Sequence, residues 1–313
     1  MIVPVPVGQA SFLDAPRCTD LQSLDADFAI IGVPNGWPYT MDAVTSPSST
    51  APRAIREQSC RLAPFIGHYD WDSGGPLFGG RDVRIVDCGD VAMSPGAFAD
   101  NSARTTAAIA AILDRGAVPI VLGGDHAISI PAFRAYAHRE SMVIVQIDAH
   151  MDWRDERYGV REGLSSTMRR ASEMPWVAGM AQIGLRGVGS ARQQEVDDAR
   201  AYGRSVLIRA EEVHESGVPV ILDRIPASNR YYITVDADGL DPAIAPGVAN
   251  PAFGGLTYYQ ASNLLRGVAK KGRVVGMDFV EVVPSADVQN LTSLLAARLI
   301  LNLIGAIVRA GNG

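Results

Sequence analysis

The stretch MVIVQIDAHMD, residues 142–152, sets the reading of the chain. Met142–Ile147 is a β-branched run, apolar but for Gln146, with no hydrophobic/polar alternation. Such a strand is one covered on both faces, as in a parallel sheet with helices above and below. The run ends in Asp148-Ala149-His150-Met151-Asp152, where three side chains able to bind a cation crowd into five residues. The same order of strand then ligand cluster occurs twice more. Val118–Leu122 runs into Gly123-Gly124-Asp125-His126, and Tyr231–Val235 runs into Asp236-Ala237-Asp238-Gly239-Leu240-Asp241-Pro242.

Further short apolar runs read as strands at Phe28–Val33, Val83–Val86, Ala181–Leu185 and Val274–Phe279. Helical patterns lie between many of them. Asn101–Arg115 is Ala/Ile-rich and stops at Gly116; Thr257–Lys270 opens on a capping Thr and ends near Gly272. The alternation predicts an α/β protein with a mainly parallel sheet and helices on both sides. There is no internal repeat, low-complexity tract or linker-like composition shift, so residues 1–313 are expected to form one domain. Pro34–Pro52 and Arg154–Ser166 read as long loops after strand ends, where open α/β sheets bind ligands.

The 313 residues carry a net charge of −6, with Arg and Lys scattered, so a nucleic-acid partner has no electrostatic support. Cys18, Cys60 and Cys88 are far apart, against a disulfide framework or thiolate zinc site and in keeping with a reducing cytoplasm. The N-terminus lacks the basic and apolar regions of a signal peptide. No apolar run reaches the roughly 18 residues of a membrane span. Leu291–Val308, interrupted by Arg298 and Asn302, is expected to be a buried helix rather than a membrane partner.

Carboxylates and imidazoles gathered at one mouth of a sheet repel one another and lose hydration unless cations compensate them. Asp and His without Cys suit Mn²⁺, Ni²⁺, Fe²⁺ or Zn²⁺. A lone Asp-x-His means little; three such clusters, each on a strand end, point to a metal site. Asp125 and Asp241 read as supporting or turn residues, and His68, His138 and His214 as surface or structural.

The segments GGDHAISIP, DAHMDWRD and VDADGLDPAIAPGVANPAFGGLT resemble the three signature stretches of the ureohydrolase (arginase/agmatinase) family. Weaker similarity in Ala51–Glu57 and Gly276–Pro284 extends the resemblance over nearly the whole chain. It implies a single three-layer α/β/α domain, usually assembled as trimers or hexamers, and two divalent ions, Mn²⁺ first and Ni²⁺ as in some relatives. His126, Asp148, Asp152 and Asp236 would hold one ion; His150, Asp148, Asp236 and Asp238 would hold the other. The implied activity is hydrolysis of a small guanidino compound other than arginine to urea and an amine. Asp152 would accept a proton and Glu281 would pair with the guanidinium.

Departures from the family pattern fall around the substrate. The loop RDERYGVREGLSSTMRRASE lacks the family's His, and Leu164 stands in its place; Tyr158, Arg161 or Glu162 would have to take over proton transfer. Gly247-Val248-Ala249-Asn250-Pro251 replaces a Gly/Thr-rich turn, and Trp153 is large for its position. Trp153 and Glu162 are therefore expected substrate contacts. Asn35, Trp37 and Tyr39 suggest an aromatic pocket for a bulky or alkylated guanidine. These departures also raise an alternative, a non-catalytic or partner-dependent subunit in a mixed oligomer with a paralogue.

Overall fold

Parallel strands arise where the apolar runs predict them. A computed structural model describes residues 2–3, 10–36, 39 and 46–311. The strands are β1 (Ile2–Val3), β2 (Phe28–Val33), β3 (Tyr69–Asp70), β4 (Gly75–Pro76), β5 (Ile85–Val91), β6 (Val118–Gly123), β7 (Met142–Ile147), β8 (Val177–Leu185), β9 (Ser205–Arg209), β10 (Arg230–Asp236) and β11 (Arg273–Val280). β3 and β4 form a separate antiparallel pair. The other nine make one sheet in the order β1-β5-β2-β6-β11-β10-β7-β8-β9. Only β1 runs antiparallel in it.

The helices are α1 (Ala51–Ser59), α2 (Phe98–Asp114), α3 (Ser129–Arg134), α4 (Thr167–Ser172), α5 (Gln193–Tyr202), α6 (Ala210–Arg224), α7 (Tyr258–Lys271) and α8 (Leu291–Ala310). Ile55 of α1, Val213 and Ile221 of α6, Leu264 of α7 and Ile300 of α8 pack on one face of the sheet. Ile109 of α2, Phe133 of α3, Met168 of α4 and Ala199 of α5 pack on the other. This is the three-layer α/β/α arrangement, each fully buried Leu, Ile or Phe contributing about 1.5–3 kcal/mol.

α8 is long and apolar enough to cross a membrane by length and composition, which the run-length reading above did not allow. Its side chains from Ala296 to Val308 nevertheless lie largely in the core, against α1 and α7. Asp287 caps its start, accepting from the N–H groups of Thr292 and Ser293, both at 2.9 Å.

Some boundaries differ from the expected ones. β5 continues to Val91 through Asp87 and Asp90, residues that argue against a buried strand on propensity. The Arg56 guanidinium, itself buried, neutralises both, at 2.8 Å to Asp87 and 2.6 Å to Asp90. β9 and α6 were not anticipated; α6 contains Pro219 and a non-helical Gly217, which mask its periodicity.

The central four strands run β6-β11-β10-β7, drawn from well-separated parts of the chain. Val235 pairs with Ile147, and Asp236 with Val280. That register brings Asp148, Asp236 and Glu281, each at or just beyond a strand's carboxyl end, to the same rim of the sheet.

Candidate metal centre

Each of the four strands delivers its polar residues as it stops. After β6 the chain turns through Gly124, whose added Cβ would lie 1.7 Å from the Asn35 carbonyl oxygen, so the close crossing needs glycine. Asp125 caps the following turn, accepting from the Ala127 N–H at 3.1 Å, and His126 enters the site behind it. After β7, Asp148 is fully buried and Asp152 nearly so. Asp152 has φ +48° and Glu281 φ +62°, left-handed conformations that cost a non-glycine residue about 1–3 kcal/mol. Both are pinned: the Asp152 carbonyl accepts from the Met168 and Arg169 N–H groups at 3.0 and 3.1 Å, and the Glu281 N–H donates to Gly124 at 2.9 Å.

The clusters converge on the two histidines. His126 Nδ1 lies 3.1 Å from Asp148 Oδ2, 2.9 Å from Asp152 Oδ2 and 3.3 Å from Asp236 Oδ2. It is buried and makes no aligned hydrogen bond among the described residues. His150 Nδ1 lies 3.5 Å from the other Asp148 oxygen, Oδ1, and 3.0 Å from Asp238 Oδ2. Donors held about 2.1 Å from one ion at right angles to each other stand about 3 Å apart. Two sets of side chains therefore meet the spacing for a shared cation: His126, Asp148 and Asp152, and Asp148, His150 and Asp238. The inward-facing lone pair of His126 fits such an ion better than any protein partner.

Surrounding groups fix these donors. His126 Nε2 is 2.9 Å from the Thr234 hydroxyl, which donates to Asp278 at 2.5 Å, and Asp278 also accepts from Tyr232 at 2.9 Å. An N–H on Nε2 leaves Nδ1 as the acceptor toward the site. Gln146 donates to Asp148 Oδ2 at 2.6 Å and is itself held by Gln182 at 2.7 Å. Glu281 accepts from the His126 N–H at 2.8 Å and from the Ser48 hydroxyl at 3.0 Å.

The ionisable groups of the centre perturb one another. Burial, then repulsion from Asp148, pushes Asp152 up to about 6. Burial, then Asp238 and Asp148, holds Asp236 well above the carboxylate range, and burial raises Asp238. Glu281 is pushed up to about 8 by burial and by Asp125. Burial alone would depress the His126 imidazole, but the carboxylates of Asp148, Asp152 and Asp236 close around Nδ1 hold it well above its usual value. Hydrogen bonds to Asp148 and Asp238 push His150 up to about 12. Burial would raise Asp148, yet the two histidines keep it low. The imidazoles thus act as the cations the carboxylates require, a role a divalent ion fills with both rings neutral.

A cavity of about 460 Å³ opens onto this centre. Its wall includes Glu281, Trp153, Arg154, Arg157, Leu164, Ser165 and the Val248–Asn250 turn. Leu164 thus puts an aliphatic side chain where the resemblance leads one to expect His. Glu162, expected as a substrate contact, is instead held by Arg134 at 2.6 and 2.9 Å, and it is not in the cavity wall. Arg161 faces Asp155 and Glu173. Of the aromatic residues expected around a pocket, the Tyr39 ring is covered by Arg157, the Trp153 ring packs against Tyr202 at the cavity wall, and Trp37 lies outside the described residues. Asp241 accepts from the N–H groups of Ala243, Gly254 and Gly255 and shapes a turn.

Thr234, Asp278 and Gln146 were missed from sequence. Their signal was a polar residue inside an otherwise apolar strand, a placement that demands a buried partner. Arg154, Arg157 and Glu195 carried no such signal.

A mainly parallel sheet with a His/Asp cluster at its strand ends defines the class, an open α/β protein with metal-centre geometry. Residues 26–305 match the Arginase family. The chain is 33% identical over 306 residues to guanidinobutyrase of Pseudomonas aeruginosa, covering 95% of this chain and 92% of that one. It is 33% identical over 310 residues to the mitochondrial guanidino acid hydrolase of Homo sapiens, covering 96% and 84%. Among solved structures, proclavaminate amidino hydrolase from Streptomyces clavuligerus superposes with a TM-score of 0.81 at 29% identity, covering 96% and 97%. The chain belongs to the arginase family and is a hydrolase of the arginase–agmatinase type.

Proposed function

We propose that the protein hydrolyses the guanidino C–N bond of a small compound other than arginine, yielding urea and an amine, with two divalent ions held by its strand-end ligands. The observation that carries this is the division of Asp148, one oxygen toward His126 and the other toward His150. His126 and Asp152 would serve one ion and His150 and Asp238 the other, with Asp148 and Asp236 between them. Mn²⁺ is the first candidate and Ni²⁺ the second. Relatives named guanidinobutyrase, guanidino acid hydrolase and agmatinase support a guanidino substrate.

Cations bound there supply Lewis acidity, which lowers the pKa of water toward neutrality. The protein does the rest. Glu281, oriented by Ser48 and the His126 N–H, pairs with the guanidinium and fixes its plane. Asp152 takes the proton released as water adds to the guanidino carbon. The C–N bond to the amine then breaks, and the departing nitrogen gains a proton. With Leu164 in the wall, that proton comes from Asp152 or from solvent.

Phe65, Tyr69 and Trp71 are exposed by 59%, 58% and 87% at one surface, which supports assembly as a homo-oligomer. Light scattering reads that directly. The activity is tested by urea release from Mn²⁺- and Ni²⁺-loaded protein offered agmatine, guanidinobutyrate, guanidinopropionate and guanidine. Turnover abolished in Asp148→Ala establishes the reaction; two bound ions without turnover would favour the partner-dependent subunit.

A further inference from the structure

Arg157 is the feature of the cavity that the proposed chemistry leaves unused. The N–H groups of Arg157 and Val160 bond to each other's carbonyls at 2.9 and 3.0 Å. They close a two-residue turn in which Tyr158 and Gly159 have φ +54° and +79°, the left-handed pair of a tight hairpin. The turn holds the Arg157 backbone in place while its side chain forms part of the cavity wall. The guanidinium lies 4.6 Å from the Tyr39 ring centroid and 5.4 Å from that of Tyr158. Tyr39 is itself tied across the loop, accepting from the Ser165 N–H at 2.9 Å.

The neighbouring arginines are all engaged by carboxylates. Arg154 stands 3.5 Å from Glu195, Arg161 3.1 Å from Asp155, Arg169 3.5 Å from Asp198 and Arg170 2.6 Å from Asp155. Among the described residues, no carboxylate pairs with Arg157. Stacking on tyrosine satisfies the face of a guanidinium but leaves its in-plane N–H donors without acceptors. Those donors match the two oxygens of a carboxylate, and the same charge opposes an ammonium group.

We propose that Arg157 reads the tail of the substrate and that the substrate is an ω-guanidino carboxylate. This rests on the hydrolase reading above. The guanidino end pairs with Glu281, and the carboxylate end forms a charge-assisted pair with Arg157. A diamine-derived guanidine of similar length, carrying a cation at that end, is disfavoured by like charge.

The test compares 4-guanidinobutyrate with agmatine, whose tails differ in charge, on full-length Mn²⁺-loaded protein. Wild type is expected to favour 4-guanidinobutyrate in kcat/KM by at least about tenfold. Arg157→Lys keeps that sign, Arg157→Gln erases most of it, and Arg157→Glu reverses it, with metal content unchanged throughout. A wild-type preference for agmatine, or equal losses on both compounds in Arg157→Gln, overturns the proposal. Calorimetry with the turnover-independent pair 4-aminobutyrate and 1,4-diaminobutane separates it from the hydrolase reading. If neither guanidine is hydrolysed, that reading fails; Arg157-dependent binding of 4-aminobutyrate still supports the carboxylate site, and absent or Arg157-independent binding overturns it.

Discussion

Thr234 places its hydroxyl 2.9 Å from Nε2 of His126, so a residue buried inside β10 sets which ring nitrogen faces the carboxylates. Its own proton goes to Asp278 on the neighbouring strand β11. The chain Asp278–Thr234–His126 crosses the sheet and meets the cavity at His126.

Thr234→Val, close in shape but without the hydroxyl, removes that constraint. Metal affinity is expected to fall roughly 10–100-fold, as for other lost supports of a ligating histidine. Titration with Mn²⁺ followed by elemental analysis measures it. An unchanged affinity would show that packing alone orients the ring.

Asp148 and His150 should separate by stoichiometry. Asp148 contacts both histidines, so Asp148→Ala is expected to strip the whole centre. His150→Ala removes a donor from the outer set only and should leave the His126 set loaded. Equal metal content in the two variants would argue against separate positions.

Glu281 lies at the cavity but contributes to neither ligand set. Glu281→Gln should retain metal and lose about 100-fold or more in kcat/KM, the loss of a charge-assisted, bidentate pairing. Loss of metal along with activity would instead make it a structural support of His126.

A stability prediction concerns the far side of the molecule. Arg298 of α8 bonds Asp70 at 2.6 Å and Asp72 at 2.9 Å. Partial burial would raise the Asp72 pKa, but hydrogen bonds from Tyr258 and Arg298 bring it below its usual value. A depressed carboxylate pKa stabilises the fold above the unfolded value, and that contribution is lost as pH falls through the folded one. Arg298→Met should therefore cost about 2 kcal/mol near neutrality. The gap to wild type should narrow below a pH of about 4. Denaturant melts across pH check this; a pH-independent gap would attribute the loss to packing.

Much of the fold was legible because its strands are buried on both faces. Phe28–Val33 and Met142–Ile147 begin and end where their apolar runs do. The start of α7 was visible too, since Thr257 is a capping residue that accepts from the Gln260 N–H. The apolar run of β5 ends at Val86 because Asp87 is tolerable in a core strand only with Arg56 against it, and Arg56 is on a helix distant in sequence. α6 was hidden by its glycine and proline.

Which side chains could serve a cation, and that each cluster follows a strand, can be read along the chain, because ligand chemistry and hydrophobic run length are local properties. That β6, β11, β10 and β7 lie side by side, and that Asp148 turns one oxygen to each histidine, emerges with the packed fold. Folding also pairs Glu162 with Arg134 and leaves Arg157 at the cavity wall with no carboxylate partner among the described residues. Those outcomes depend on strand order, register and the pairing of charges from distant segments. No single stretch of sequence encodes such long-range geometry.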